Sequence, residues 1–562
     1  MARFHGLSRP ALMIVAAGSL ACGTGRPPEM PADLILTNGA VVTLDPARPE
    51  ARAVAVRGDT IAAVGSDDEI ARLAGPSTRR IDLRGAMVVP GLIDAHGHVR
   101  SLGEELANLD LHGVASVEEV ARMVRERDKA LPEGAWITGH GWDQNLWPGK
   151  AFPDHRPLTA AAPGRPVWLS RVDGHASWAN LKAMQAAGIT RKTADPSGGR
   201  VERDARGEPT GVFVDNAQDL VEKARPQASR AQIKEWLGLS LQRLAEAGLT
   251  EIHDAAVTLE DVDAYRELAD EGRLPLRVYL MWNGIGEAVL DPLVERPIFV
   301  NYKNRLTLRA VKLMVDGAMG SRGAVFLADY SDDKGNHGLF VTPPEELERR
   351  ATLAMRKGYQ VCTHAIGDRG IRVTIDAYEK ALAAVKPRDP RPRIEHLQCV
   401  ARQDVARLKP LGIIASMQPS HATSDMYWAE DRVGPLRGEG LYAWRWVLDS
   451  GVVIAAGSDF PVDPEKPLIG LHSAVTRQDL KNYPPGGWHP DQRMTLEEAL
   501  RAYTAGAAYA AYEEDRKGKI APGTWADLTV IGKDLRAIPS EEIANAGIDF
   551  TIVGGAVVFE KR

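Results

Sequence analysis

Between residues 87 and 462 one pattern recurs: a near-continuous apolar run of strand length, a polar or charged residue at its end, then a stretch with helical spacing. The runs are MVVPGLIDAHGH (87–98), LTEIHDAAV (249–257), LPLRVYLMW (274–282) and LRAVKLMVDG (308–317), followed by YQVCTHAIGD (359–368), PRIEHLQ (392–398), GIIASMQPSH (412–421) and VVIAAGSDFPV (452–462). LEDVDAYRELADEG and TPPEELERRATLAMRKG, lying between runs, have the periodicity of amphipathic helices. Apolar strands without in–out alternation, separated by helices, indicate a parallel sheet covered on both faces. Eight of them fit a closed α/β (β/α)8 barrel.

Short alternating segments at both ends have a different character. ADLILTNGAVVTLD, ARAVAVRGDTIAAVG and RRIDLRGAMVVP near the start, and ADLTVIGKD and IDFTIVGGAVVFEKR near the end, read as strands punctuated by Gly and Asp turns. A small β-sandwich is therefore expected from 31–89 together with 520–562, with the barrel over 90–519. Residues 101–240 are too many for one strand-to-helix connection and predict an insertion after the first barrel strand, with structure of its own.

Composition narrows the class further. The chain has 562 residues, 44% of them hydrophobic, and 69 basic against 75 acidic residues give a net charge of −6. Without a clustered basic face, a nucleic-acid partner is not expected. After residue 25 no stretch of about 18 residues is apolar enough to span a bilayer. The first residues are expected to be a secretory signal: Arg3 and Arg9 precede ALMIVAAGSLA, which ends at Cys22. Cys22 resembles the lipid-modified cysteine of bacterial lipoproteins, although Ser19 stands three places before it where Leu is preferred, and Leu20 falls one place late. Residues 1–21 would then be removed, leaving an exported protein of the periplasm or cell envelope whose one membrane tie is a lipid at Cys22. Cys362 and Cys399 lie in apolar runs and are expected to be buried free thiols.

Six polar residues of metal-ligand type lie at or near the ends of the strands these runs predict: His96 and His98 on the first, Lys312 on the fourth, His364 on the fifth, His396 on the sixth and Asp459 just after the apolar part of the eighth. Side chains at i and i+2 of a strand share a face, so His96 and His98 can serve one ion. Each residue alone has an ordinary explanation. Together, so many buried polar groups around one barrel axis would be costly without a ligand.

PGLIDAHGH, VKLMVDGAMGSRGA, THAIGD, RIEHLQ, AAGSDFPV and GTWADLTVIG resemble the amidohydrolase superfamily, nearest its branch of YtcJ-like proteins and N-substituted formamide deformylases. The resemblance runs from about residue 33 to the C-terminus. It implies two divalent ions, usually zinc, one on His96 and His98 and the other on His364 and His396. Lys312, carboxylated by CO2, would bridge them. Asp459 would touch the first ion and act as general base. The implied reaction is hydrolysis of an amide-type C–N bond in a small molecule (an N-substituted formamide, N-acyl amine or cyclic amide) by attack of a metal-bound hydroxide.

Substrate contacts are harder to read. In GHGWDQNLW and RVDGHASWAN, His140, Trp142, Asp143 and His175 are candidates for the pocket, His175 as a donor to the substrate carbonyl; equally, GHGWD is a turn whose tryptophan is core. Arg322 either binds an anionic or carbonyl group or pairs with a carboxylate. Gln418, His421 and Trp428 follow the seventh run and are candidates for a further wall, while His253 and Asp254 are strand-end residues that the family does not use as ligands. Two other readings compete: a single-metal deaminase of the same superfamily, which would lack the strand-four lysine, and a non-catalytic binding lipoprotein. A homo-oligomer is compatible with the sequence, but nothing in it selects a state.

Overall fold

A computed structural model describes residues 30–562 except 133, 172–175, 197–198, 286–289 and 321; the expected signal segment and His175 lie outside the described residues. Eight strands form the central parallel sheet: β1 (Leu92–Gly97), β2 (Leu249–Val257), β3 (Arg277–Asn283), β4 (Leu306–Met314), β5 (Gln360–Ala365), β6 (Arg393–His396), β7 (Ile414–Met417) and β8 (Ile454–Ala456), each paired with the next. Every residue of β1, β5, β6, β7 and β8 is buried, as expected where helices cover one face and the barrel interior the other. The barrel is nearly closed. β8 and β1 are joined by single bonds rather than a ladder: Asp459 N–H to the His96 carbonyl (2.7 Å) and His98 N–H to that of Phe460 (2.9 Å). Gly457 allows this approach, because a Cβ there would lie 2.6 Å from the His96 nitrogen.

The helices form where the periodicity predicts them. Leu259–Asp270 starts at a capping box between Thr258 and Asp261, and Pro344–Arg356 buries Leu347, Ala351, Ala354 and Met355 against the barrel. Among the described residues no helix is long and apolar enough to cross a membrane.

The run 87–98, read as one barrel strand, is two. Met87–Pro90 pairs with Leu528–Ile531 of the C-terminal segment, and only after Gly91 does the chain enter the barrel. This first piece belongs to a sheet ordered Ala556–Glu560, Ile548–Val553, Leu528–Ile531, Met87–Pro90, Ala40–Val42, Glu50–Ala51. A second sheet, ordered Thr60–Gly65, Ala53–Arg57, Ala32–Thr37, Ala74–Asp82, packs against it through Leu34, Leu36, Val54 and Val56 on one side and Val88, Leu528, Val530 and Ile552 on the other.

After β1, helices Val99–Ala107 and Arg230–Glu246 pack on the barrel through Leu102, Ile233 and Leu237. The insertion proper is therefore shorter at each end than 101–240. It holds a six-stranded sheet, with Leu109–Asp110 at one edge beside Ile137–Trp142, and a core of Val120, Val124, Trp142, Leu158, Leu169 and Trp178.

Candidate metal centre

The C-terminal ends of the barrel strands bring together residues from five of them. The Nε2 atoms of His96 and His98 lie 3.4 and 3.1 Å from Asp459 Oδ1. The His96 ring is 4.9 Å from that of His396, which is 4.5 Å from that of His364. Lys312, on β4, places Nζ 2.8 Å from His96 Nε2. All six sequence candidates thus meet in one place. His421 joins them, its Nε2 3.9 Å from Asp459 Oδ2, in a position where His396, His421 and Asp459 could share an ion as His96, His98 and Asp459 could.

Strand alternation alone does not produce this convergence. Ile252 and Asp254 of β2 face Asp94 and Gly97 of β1, so β1 carries one extra residue, a β-bulge at the level of His96. His98 stands beyond the strand as the N-cap of helix Val99–Ala107. On β6, Arg393 and Glu395 share one side of the strand while Ile394 packs into the outer core. His396 has the parity of Ile394, but its φ of 74° turns the chain so that its ring meets those of His96 and His364. Asp459, at φ 62°, is also in the left-handed region. Such backbone costs about 1–3 kcal/mol per residue and is held by surrounding structure.

Buried carboxylates fix the neighbouring backbone. Asp94 accepts the His96 N–H (3.0 Å) and the Ser458 hydroxyl (2.7 Å). Asp254 accepts the Val99 N–H (3.0 Å) and the Tyr265 hydroxyl (2.6 Å), and Asp316 accepts the N–H groups of Val325, Ile366 and Gly367. Burial pushes all three up to about 7.

A second set of residues, of which the sequence singled out only His253, runs down the barrel interior. His96 Nδ1 is 2.5 Å from Glu395 Oε2. Arg393 Nε lies 2.8 Å from Glu395 Oε1 without hydrogen-bond alignment, so that contact is Coulombic, while its Nη2 donates to Oε2 at 3.2 Å. Arg393 Nη1 then meets His253 Nδ1 (3.0 Å), His253 Nε2 meets Glu251 Oε1 (3.2 Å), and Glu251 pairs with Lys517. This chain of contacts links His96 to the far C-terminal segment.

The residues suit divalent ions. Burial, the leading cause in each case, brings His96 down to about 4, His364 to about 3 and His396 well below its ordinary value, so all three are neutral imidazoles with a lone pair to give. Burial also lowers Lys312. It would raise Asp459, but His96 foremost, with His98 and His396, holds that carboxyl well below the usual carboxylate range. Asp459 Oδ1, His421 Nε2 and Gln418 Nε2 are buried without a hydrogen bond, as expected of groups arranged around an ion or a substrate. His96 and His396 each engage a side-chain oxygen through Nδ1, from Glu395 and from Gln418 (2.8 Å), the usual support of a metal-ligating imidazole.

The remaining candidates are elsewhere. Trp142 is fully buried in the insertion core with its indole N–H on the Leu169 carbonyl and the rings of Trp147, Phe152 and Trp178 around it, so it takes the core alternative and cannot line a pocket. Asp143 pairs with Arg171 (2.7 Å), Arg322 with Asp332 (2.8 Å) and His140 with Glu105 (2.7 Å). Arg322 thus takes the carboxylate-pairing alternative. Cys362 and Cys399 are buried and free.

Fold and site together define a metal-dependent hydrolase built on an α/β barrel. A structure of an uncharacterized metal-dependent hydrolase from Pyrococcus furiosus superposes with a TM-score of 0.75 at 28% identity, over 89% of this chain and 99% of that one. The chain belongs to the amidohydrolase family, which it matches over residues 79–559, and is a hydrolase of carbon–nitrogen bonds. Relatives include YtcJ of Bacillus subtilis (strain 168), 33% identical over 93% of this chain and 98% of its own length. N-substituted formamide deformylase of Arthrobacter pascens is 29% identical over 94% and 98%.

Proposed function

We propose that the protein hydrolyses the amide-type C–N bond of a small molecule, an N-substituted formamide, N-acyl amine or cyclic amide, at a two-metal centre. His96 and His98 would hold one ion and His364 and His396 the other, with Lys312 between them as a carbamate and Asp459 on the first. The observation that carries this reading is Asp459 Oδ1: a buried carboxylate oxygen without a hydrogen bond, 3.1 and 3.4 Å from the imidazoles of His98 and His96. When bound, divalent ions bring the pKa of water toward about 7 and polarise a carbonyl.

The chain supplies the rest. Asp459, ionised, takes a proton from the attacking water and returns it to the leaving nitrogen, since an amine departs poorly unless protonated. Its backbone bond to His96 keeps that acceptor fixed on β1. Lys312 reacts as a neutral amine, its nitrogen adding to CO2 with release of one proton, and burial favours that neutral state. The resulting anion relieves the cost of a bare ammonium among imidazoles.

Metal content and kcat of two variants test the assignment on a panel of N-formyl amines, N-acyl amino acids and cyclic amides. Lys312→Ala is expected to lose metal and activity together, with partial rescue of both by formate or acetate. Asp459→Asn is expected to keep most of its metal and lose about 10²–10⁴-fold in kcat. Near-normal turnover in Asp459→Asn refutes the general-base role; two ions retained in Lys312→Ala refute the bridge and favour single-metal chemistry.

A further inference from the structure

A second cluster of metal-ligand residues lies outside the barrel, where the insertion meets the helix that follows His98. Strand Leu109–Asp110 pairs in parallel with Ile137–Trp142, with Asp110 directly opposite His140. Two residues on, His112 folds back so that Asp110 Oδ1 accepts both its backbone N–H (3.0 Å) and its ring Nδ1–H (2.8 Å). The rings of His112 and His140 are 5.0 Å apart, edge to face. Glu105, on helix Val99–Ala107, reaches across to His140 Nε2 at 2.7 Å. One ligand atom from each of Asp110, His112 and His140 lies within 4.8 Å of the others.

The arrangement is built rather than incidental. Gly141 has a φ of 95°, and a Cβ there would fall 2.7 Å from His112 Nδ1, so a bare glycine lets the imidazole pack on the strand. Each imidazole has one ring nitrogen on a carboxylate, so the other is the one open to an ion. That is the carboxylate–histidine pairing that supports a metal ligand. As ion pairs alone these contacts contribute little, because His112 is half exposed and His140 a quarter exposed.

We propose that Asp110, His112 and His140, backed by Glu105, bind one divalent ion of the zinc class within the insertion, beside helix Val99–Ala107. Two imidazoles and a carboxylate suit zinc and its transition-metal neighbours over magnesium or calcium, which prefer oxygen-only shells. The ion is accessory to the barrel centre and has a structural role.

Equilibrium dialysis of the holoenzyme against Zn2+, read by elemental analysis, tests this. Wild type should take up one equivalent more than His112→Ala, and added Zn2+ should raise the Tm of wild type but not of the variant. The kcat of His112→Ala with its remaining metal should be unchanged. Asp110→Asn should weaken the extra equivalent by about 10–100-fold, and this decides the matter if His112→Ala does not fold. Equal uptake by wild type and variants overturns the site. So does a loss of kcat together with the extra equivalent, which would make that ion one of the catalytic pair.

Discussion

Replacing Glu395 by glutamine tests whether the polar chain inside the barrel holds the metal centre in place. Glu395 is fully buried between the Arg393 guanidinium, 2.8 Å away, and His96 Nδ1 at 2.5 Å. Two unit charges at that separation attract by about 6 kcal/mol at an effective dielectric of about 20. Removing one member of a buried pair usually costs about 3–5 kcal/mol, because the other is left uncompensated. Two features point to the lower end. Arg393 keeps the Ala95 carbonyl (2.6 Å) and the Ser416 hydroxyl (2.9 Å), and glutamine can still accept from His96. The expected loss is about 3 kcal/mol, on the order of 100-fold in the unfolding equilibrium. Metal affinity should fall by about 10–100-fold, since His96 loses the charge behind it. Denaturant unfolding of metal-free protein measures the first effect and competition with a chelator the second. A variant within about 1 kcal/mol of wild type and with unchanged metal affinity would show that Glu395 merely fills space.

Gly457→Ala should lower kcat at least about tenfold by pushing β1 away from β8, since its Cβ would meet the His96 nitrogen at 2.6 Å and Asp94 Oδ1 at 2.7 Å; wild-type turnover would refute the close approach. Glu498 caps helix Leu496–Arg501 at Thr495 and pairs with Arg445 (2.7 Å), whose hydrogen bond foremost holds its carboxyl at about 2. Its contribution, about 1 kcal/mol for a partly exposed cap, is present above pH 4.5 and fades as pH falls toward 2; Glu498→Ala should therefore differ from wild type in thermal unfolding at neutral pH, and identical Tm values would refute it. Mass spectrometry from the native host should find a mature N-terminus at Cys22; an intact Met1 in a soluble cytoplasmic fraction would refute export.

The eight barrel strands were legible because each is buried on both sides and so reads as an unbroken apolar run, and the candidate ligands because they interrupt those runs near their ends. What stayed hidden depends on conformation rather than composition. The bulge at His96 and the left-handed turn at His396 leave no local mark, though both are needed to bring the rings together. Arg393 and Glu395 look like any charged pair in RIEHLQ, and their partners His253, Glu251 and Lys517 come from distant segments. Trp142 shows the reverse: an aromatic beside a polar motif is equally a core residue, and only packing distinguishes the two.

Because the sandwich is made from both chain ends, the order of synthesis matters to the centre. The Leu92 N–H at the start of β1 donates to Thr529 Oγ1 across 437 residues, and Met87–Pro90 has Leu528–Ile531 as its neighbour. Contacts of such sequence separation form late and slowly. Until the C-terminal segment is made, the strand feeding β1 has an open edge, and such edges invite pairing with other chains. A ribosome that stalls before residue 528 would release a chain whose barrel has all its candidate ligands but whose first strand is not bedded. The strand carrying His96 is thus secured by nearly the last residues to emerge.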